Sequence, residues 1–230
     1  MSEMLSSSVF FGVMISILAY EFGVLLKKKT KLAICNPLLI AIVAVIVLLA
    51  LLDVDYASYK SSANLLSYLL TPATVCLAIP LYEQISLLKS NLKAIMAGII
   101  SGVITSLACI LVMCLIFGLD HEMYVTLLPK SITTAIGMGV SEELGGIATI
   151  TVAVIIITGI IGNVIGEYVC RLFKIQEPVA KGIAVGTSSH AIGTARAMEM
   201  GEVVGAMSSL SIAVAGLLTV VGASVFAQFI

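Results

Sequence analysis

Two stretches of this 230-residue chain concentrate the side chains able to do chemistry. The first, PKSITTAIGMGVSEELGG at 129–146, carries Lys130, Ser131, Thr133, Thr134 and Glu143. The second, KGIAVGTSSHAIGTARAMEMGE at 181–202, carries Thr187, Ser188, Ser189, His190, Arg196 and Glu199. These types suit the recognition of a small anion. The hydroxyls can hydrogen-bond a small polar solute, and the planar guanidinium of Arg196 can clamp a carboxylate through two parallel bonds. Lys130, which opens the first stretch, can attract the anion at the outer mouth. His190 can bind substrate or carry a proton, because the imidazole pKa is easily moved by its surroundings. Glu143 and Glu199 are candidates for proton or ion coupling, and Gly137, Gly139, Gly186 and Gly193 let backbone approach closely.

Each of these residues also has a structural reading. His190 can simply hydrogen-bond a backbone carbonyl. Arg196 can pair with Glu199 at i+3 or lie at the membrane interface, and Lys130 can snorkel to headgroups. Glu143 and Glu199 can cap and orient helices. Thr71 and Thr74, in LLTPATVCLAIP, either wall the same cavity or sit where helices pack around two prolines. Ser188, Ser189 and His190 are too close in sequence for a nucleophile–base pair, since adjacent helical residues do not face each other. No G-x-x-x-x-G-K-[ST] loop and no HExxH helix occurs. The expectation is a chain that is not an enzyme, with no cofactor and no metal site. Cys35, Cys76, Cys109, Cys114 and Cys170 are scattered at apolar positions with neither metal-ligand nor disulfide spacing.

The elements that position these residues are membrane helices. Apolar types fill 60% of positions and charged types 11%, and mean hydropathy is +1.17. A soluble domain carries about 25% charge, so lipid must solvate much of this chain. Net charge near zero gives no bulk attraction to nucleic acid. Met1–Ser8 lacks the basic region of a signal peptide, and the absence of Trp leaves any interfacial belt to Tyr and Phe. Ser8–Leu26, Leu32–Leu52, Leu92–Phe117, Ile147–Phe173 and Val203–Ile230 reach the roughly 20 apolar residues of a span. Residues 61–81, interrupted by Pro72 and Pro80, make a weaker one. AGIISGVITSLA at 97–108 reads as a close helix–helix contact. Lys27, Lys28, Lys29 and Lys31 mark a cytoplasmic loop, and alternation then places both termini outside. Arg171, Lys174 and Lys181 fall inside only if 129–146 dips in and returns. The expected fold is therefore an all-α integral membrane protein, with about six transmembrane helices plus two re-entrant or broken helical segments, and eight full spans as the alternative.

The two polar stretches also repeat. A shift of 56 residues lays Ala135-Ile136-Gly137 on Ala191-Ile192-Gly193, Glu143 on Glu199 and Gly145 on Gly201. A long hydrophobic helix follows each copy. A unit with an odd number of crossings returns inverted, so the two broken segments would enter from opposite faces and meet near the midplane, as in many secondary transporters. Polar, irregular backbone at that depth must be buried in protein or line a wet cavity.

TPATVCLAIPLYEQ (71–84), LLPKSITTAIGMGVSEELGG (127–146) and GTSSHAIGTARAMEMGE (186–202) resemble the signature segments of the LrgB/CidB family, over nearly the whole chain. The resemblance implies a single LrgB-like transmembrane domain over residues 1–230, with no fused LrgA-like domain. Bacterial members of that family are antiholin- and holin-like proteins tied to murein hydrolase activity and lysis, often working with an LrgA/CidA-type membrane partner. Plant relatives are plastidial glycolate/glycerate transporters, and some bacterial relatives are linked to pyruvate. The expected function is a secondary carrier of small monocarboxylates such as glycolate, glycerate or pyruvate in the cytoplasmic (inner) membrane of a bacterium, working as a homo-oligomer, with a dimer expected. The alternative is a holin/antiholin-like protein that modulates lysis with its partner.

Overall fold

The computed structural model describes residues 10–30, 37–69, 72, 75, 76 and 78–230. Thr71, Thr74, Lys31 and Cys35 lie outside the described residues. Among those described, every regular element is a helix, and the chain divides into two compact units, Met1–Cys76 and Leu77–Ile230.

The first unit contains α1 (Phe11–Thr30), α2 (Pro37–Leu52), α3 (Tyr56–Ser62) and α4 (Asn64–Tyr68). Lys27, Lys28 and Lys29 close α1, where cations complement the negative end of the helix dipole. Ala19, Ala41 and Val45 form the buried contact between α1 and α2. Ser62 Oγ accepts from the Gly12 amide at 3.0 Å, and Ser16 Oγ lies 2.8 Å from Tyr59 Oη. α2 is 16 residues of unbroken apolar type. That is about 24 Å of helix, against a hydrocarbon core of about 30 Å.

The second unit contains α5 (Ala78–Glu83), α6 (Ile85–Phe117), α7 (His121–Leu127), α8 (Thr134–Glu143), α9 (Ala148–Leu172), α10 (Pro178–Met200) and α11 (Glu202–Phe226). Among the described residues, three helices are long and apolar enough to cross a membrane: α6, α9 and the run Glu202–Phe229. α9 and α11 match the expected spans to within a residue or so at their starts. α6 begins before Leu92, and its 33 residues make about 50 Å of helix. Its first turns, with Lys89, Ser90, Asn91 and Lys93, therefore extend beyond the apolar part. The stretch 61–81, expected as one interrupted span, is not a single helix among the described residues. α3 ends at Ser62, α4 ends at Tyr68 and α5 starts at Ala78, and Pro72 and Pro80 bring no amide donor to a helix crossing it.

α10 is not one rod. At His190 the backbone takes φ 43° and ψ −143°, outside the helical region. The second half then folds back on the first. A side chain built at Gly193 would sit 3.3 Å from the Val185 carbonyl, where a continuous helix would hold the two roughly 12 Å apart. Val185, Ala197 and Val204 share one apolar cluster. α10 is thus a helical hairpin with its tip at His190. The first polar stretch folds alike, with α7 as one arm and α8 as the other. Gly137 comes within contact of Pro129, and Gly146 and Ser141 meet Thr126.

The two hairpins lie along α9 from its two ends. For the first, Thr151 Oγ1 donates to Thr126 O at 2.8 Å and Gly137 abuts Ile155. For the second, Gly159 abuts His190, Gly162 abuts Ser189 and Gly166 abuts Val185. Both tips therefore stop beside the middle of α9. The 56-residue shift carries α8 onto the second arm of α10, and the glycine that ends each arm has positive φ, 84° at Gly145 and 140° at Gly201. α6 and α11 pack on the other side of α10. Gly98 meets Ile183 and Gly102 meets Thr187, so the small-residue face at 97–108 receives the second hairpin. Ile95, Ile99, Val103 and Leu107 join Ala206, Met207, Ala215 and Ala223 in the main buried cluster.

Candidate functional site

The hairpin tips converge on a cavity of about 400 Å³. Lys130, expected at the outer mouth or among headgroups, reaches it instead from the first tip, because the chain turns there beside α9; Ser188 and Ser189 reach it from the second tip, and Thr158 and Gly162 from α9. Its outer wall is apolar, formed in part by Ile161, Ile165 and Val169. Lys130 is the only charged side chain among the described residues lining it, and no carboxylate among the described residues pairs with it. Its ammonium donates to Ser131 Oγ at 3.0 Å, and Ser131 Oγ lies 3.1 Å from Ser106 Oγ on α6. An ionisable side chain held at membrane depth is costly unless something compensates it. A cation with hydroxyls around it and an apolar wall behind can receive a small carboxylate.

The second tip is held by its backbone as much as by its side chains. His190 is buried, and its Nε2 donates to the Ile155 carbonyl at 2.9 Å, with the ring laid on Gly159. Asn163 Nδ2 donates to the Ile192 carbonyl at 2.7 Å. Thr194 Oγ1 donates to His190 O at 2.9 Å and lies 2.7 Å from Ser208 Oγ on α11. Ser188 Oγ donates to Ala184 O at 2.7 Å and lies 3.0 Å from Ser189 Oγ. Thr187 is buried against Gly102, and its hydroxyl has no hydrogen-bond partner among the described residues.

The remaining candidates lie elsewhere. Thr133 is the N-cap of α8 without a side-chain cap bond, and Thr134 opens that helix. Glu143 is exposed at the far end of α8. Arg196 is at the open end of the second hairpin. There it pairs with Glu199 at 2.5 Å and across to Glu167 of α9, beside a cavity of about 330 Å³ that Arg171 and Lys181 also line. Arg196 is thus away from Lys130, with two carboxylates already on its guanidinium.

Residues 16–229 match the model of the LrgB-like family. The chain belongs to that family. Antiholin-like protein LrgB of Bacillus mycoides (strain KBAB4), of Bacillus cereus (strain B4264) and of Bacillus anthracis (strain CDC 684 / NRRL 3495) are each 37% identical to it over 222 residues, covering 96% of this chain and 96% of theirs. No solved structure matches it. In this LrgB-family chain the residues that the sequence reading passed over are Ser106, Thr158, Asn163 and Glu167. Asn163 and Glu167 were detectable, since they are polar positions one turn apart inside the apolar run of α9, and such groups at membrane depth mark function or tight pairing. Ser106 was visible only as a small residue in a packing face.

Proposed function

We propose that this LrgB-family chain acts as an antiholin-like membrane protein, the role its relatives are named for, and that its molecular activity is passage of a small monocarboxylate. The relatives' names favour the antiholin-like reading over the carrier reading that the residues first suggested. One observation carries the more specific activity: Lys130, without a carboxylate partner among the described residues, shares with Ser188 and Ser189 a cavity that runs from the hairpin tips along α9. Glycolate, glycerate and pyruvate each offer the carboxylate for Lys130 and an oxygen for the hydroxyls. The arrangement of two hairpins laid along opposite halves of α9 supports an inverted repeat of one hairpin plus one span. Such repeats place substrate sites at the midplane between related halves. In the same reading about six helices cross the cytoplasmic membrane, with both termini outside, and the chain works as a homodimer beside an LrgA/CidA-type partner.

The test is uptake of labelled glycolate, glycerate or pyruvate into proteoliposomes of the purified protein. Saturable uptake of at least one is expected. Release of larger dyes without saturable uptake of any would replace the carrier with a pore. The cellular role is read separately. Murein hydrolase activity and lysis, compared with and without the protein and its partner, should differ if the chain is antiholin-like, and identical lysis curves would remove that role.

A further inference from the structure

The cavity at the tips has α9 as one wall and the first arm of α10 as another. Whatever fastens α10 to α9 therefore sets its width. The two hairpins are fastened differently. At the open end of the first, the contact with α9 is a buried cluster of neutral groups. Thr151 Oγ1 donates to Thr126 O at 2.8 Å and lies 2.7 Å from Ser141 Oγ, and Thr126 Oγ1 accepts from the Ile147 amide at 2.8 Å. At the open end of the second, the contact is ionic and reaches solvent. Glu167 of α9 takes Arg196 of α10 on one oxygen and Arg171 on the other, and the pair faces a second cavity that Lys181 lines. Ion pairs of this kind are weak and are easily exchanged with water or other ions, whereas buried satisfied hydroxyls are costly to separate. The second hairpin also carries a backbone break at His190, with φ 43° and ψ −143°, the kind of position at which a segment pivots.

We infer that the Arg196–Glu167 pair is a latch. While it is closed, the second hairpin lies against α9 and the cavity of Lys130, Ser188 and Ser189 is narrow. When it opens, the hairpin swings from the end that holds Arg196, and the cavity widens toward the Arg171 end of α9. The first hairpin stays fixed and serves as the frame. This regulation rests on the reading of the Lys130 cavity as the solute seat, but it is tested without solute.

The probe is a cysteine at the seat, Ser188→Cys, in a cysteine-free background reconstituted into vesicles. A membrane-impermeant maleimide is applied and labelling at residue 188 is followed by peptide mass. Glu167→Gln removes the anionic half of the latch, and labelling is expected to accelerate severalfold. Unchanged or slower labelling in a folded Glu167→Gln protein overturns the latch. A second variant covers the case in which Glu167→Gln fails to fold. Glu167→Cys with Arg196→Cys, joined by oxidation, should label at residue 188 severalfold more slowly than its reduced form. Equal rates in the oxidised and reduced forms overturn the proposal. A protein that passes these tests yet takes up no carboxylate would keep its latch and lose the carrier reading, so the two failures are distinguishable.

Discussion

Lys130 is the residue on which the site turns. Its ammonium is positioned by Ser131, which Ser106 braces from α6. A charge-assisted hydrogen bond is worth roughly 1.5–3 kcal/mol, so Lys130→Gln should raise the KM for uptake by about 10- to 100-fold in the proposed carrier, measured in proteoliposomes at unchanged folding. His190 offers a contrast of a different kind. Its backbone conformation is one that glycine adopts freely and other residues hold at a cost of about 1–3 kcal/mol. His190→Ala loses the bond to Ile155 and keeps that strain, while His190→Gly loses the bond and releases it. His190→Gly should therefore melt several degrees above His190→Ala in detergent, and the reverse order would show that the ring, not the backbone, decides the site. If His190→Ala and Arg196→Ala both fold and transport normally, neither residue contributes as the sequence reading expected.

At the scale of elements, close approach is the controlling quantity. A methyl group added at Gly162 would overlap Ser189 Oγ, only 1.6 Å away, while at Gly139, in the interior of α8, it would meet nothing within 4 Å. Gly162→Ala should push the second tip off α9 and lower the melting temperature. Gly139→Ala should leave it unchanged or raise it slightly, since alanine is favoured over glycine within a helix by about 1 kcal/mol. Equal effects of the two would contradict the packing described. Thr151→Val, which strands Ser141 and Thr126, should cost about 1–3 kcal/mol, visible as a lower melting temperature at every ionic strength. The long helices α9 and α11 were legible from sequence because a span must satisfy its own backbone and face lipid along its whole length, which leaves an unmistakable apolar run. The start of α6 was not, because Lys89, Ser90 and Asn91 lower hydropathy without breaking a helix. The polar stretches were legible as irregular. The fold-back that pairs Arg196 with Glu167 was not, since it depends on the reversal at His190 and no local pattern encodes a partner across a hairpin.

For the whole molecule, the two hairpins lie on opposite ends of α9, so their open ends should face opposite sides of the bilayer. Glu143→Cys, at the end of the first hairpin, and Glu177→Cys, at the start of the second, should label with an impermeant reagent from different sides of oriented vesicles. In the proposed orientation residue 143 would label from the outside. Labelling of both from one side would refute the layout. The stopping point of the tips has one more consequence. Because each hairpin ends beside the middle of α9, the proposed carrier would leave only the protein between the tips to separate the two sides. A lone anion driven inward past it against a negative interior would face about 2.3 kcal/mol per 100 mV. In the proposed carrier, uptake of a monocarboxylate would be electrogenic unless a cation travels with it, and the current recorded per molecule carried would count the companions.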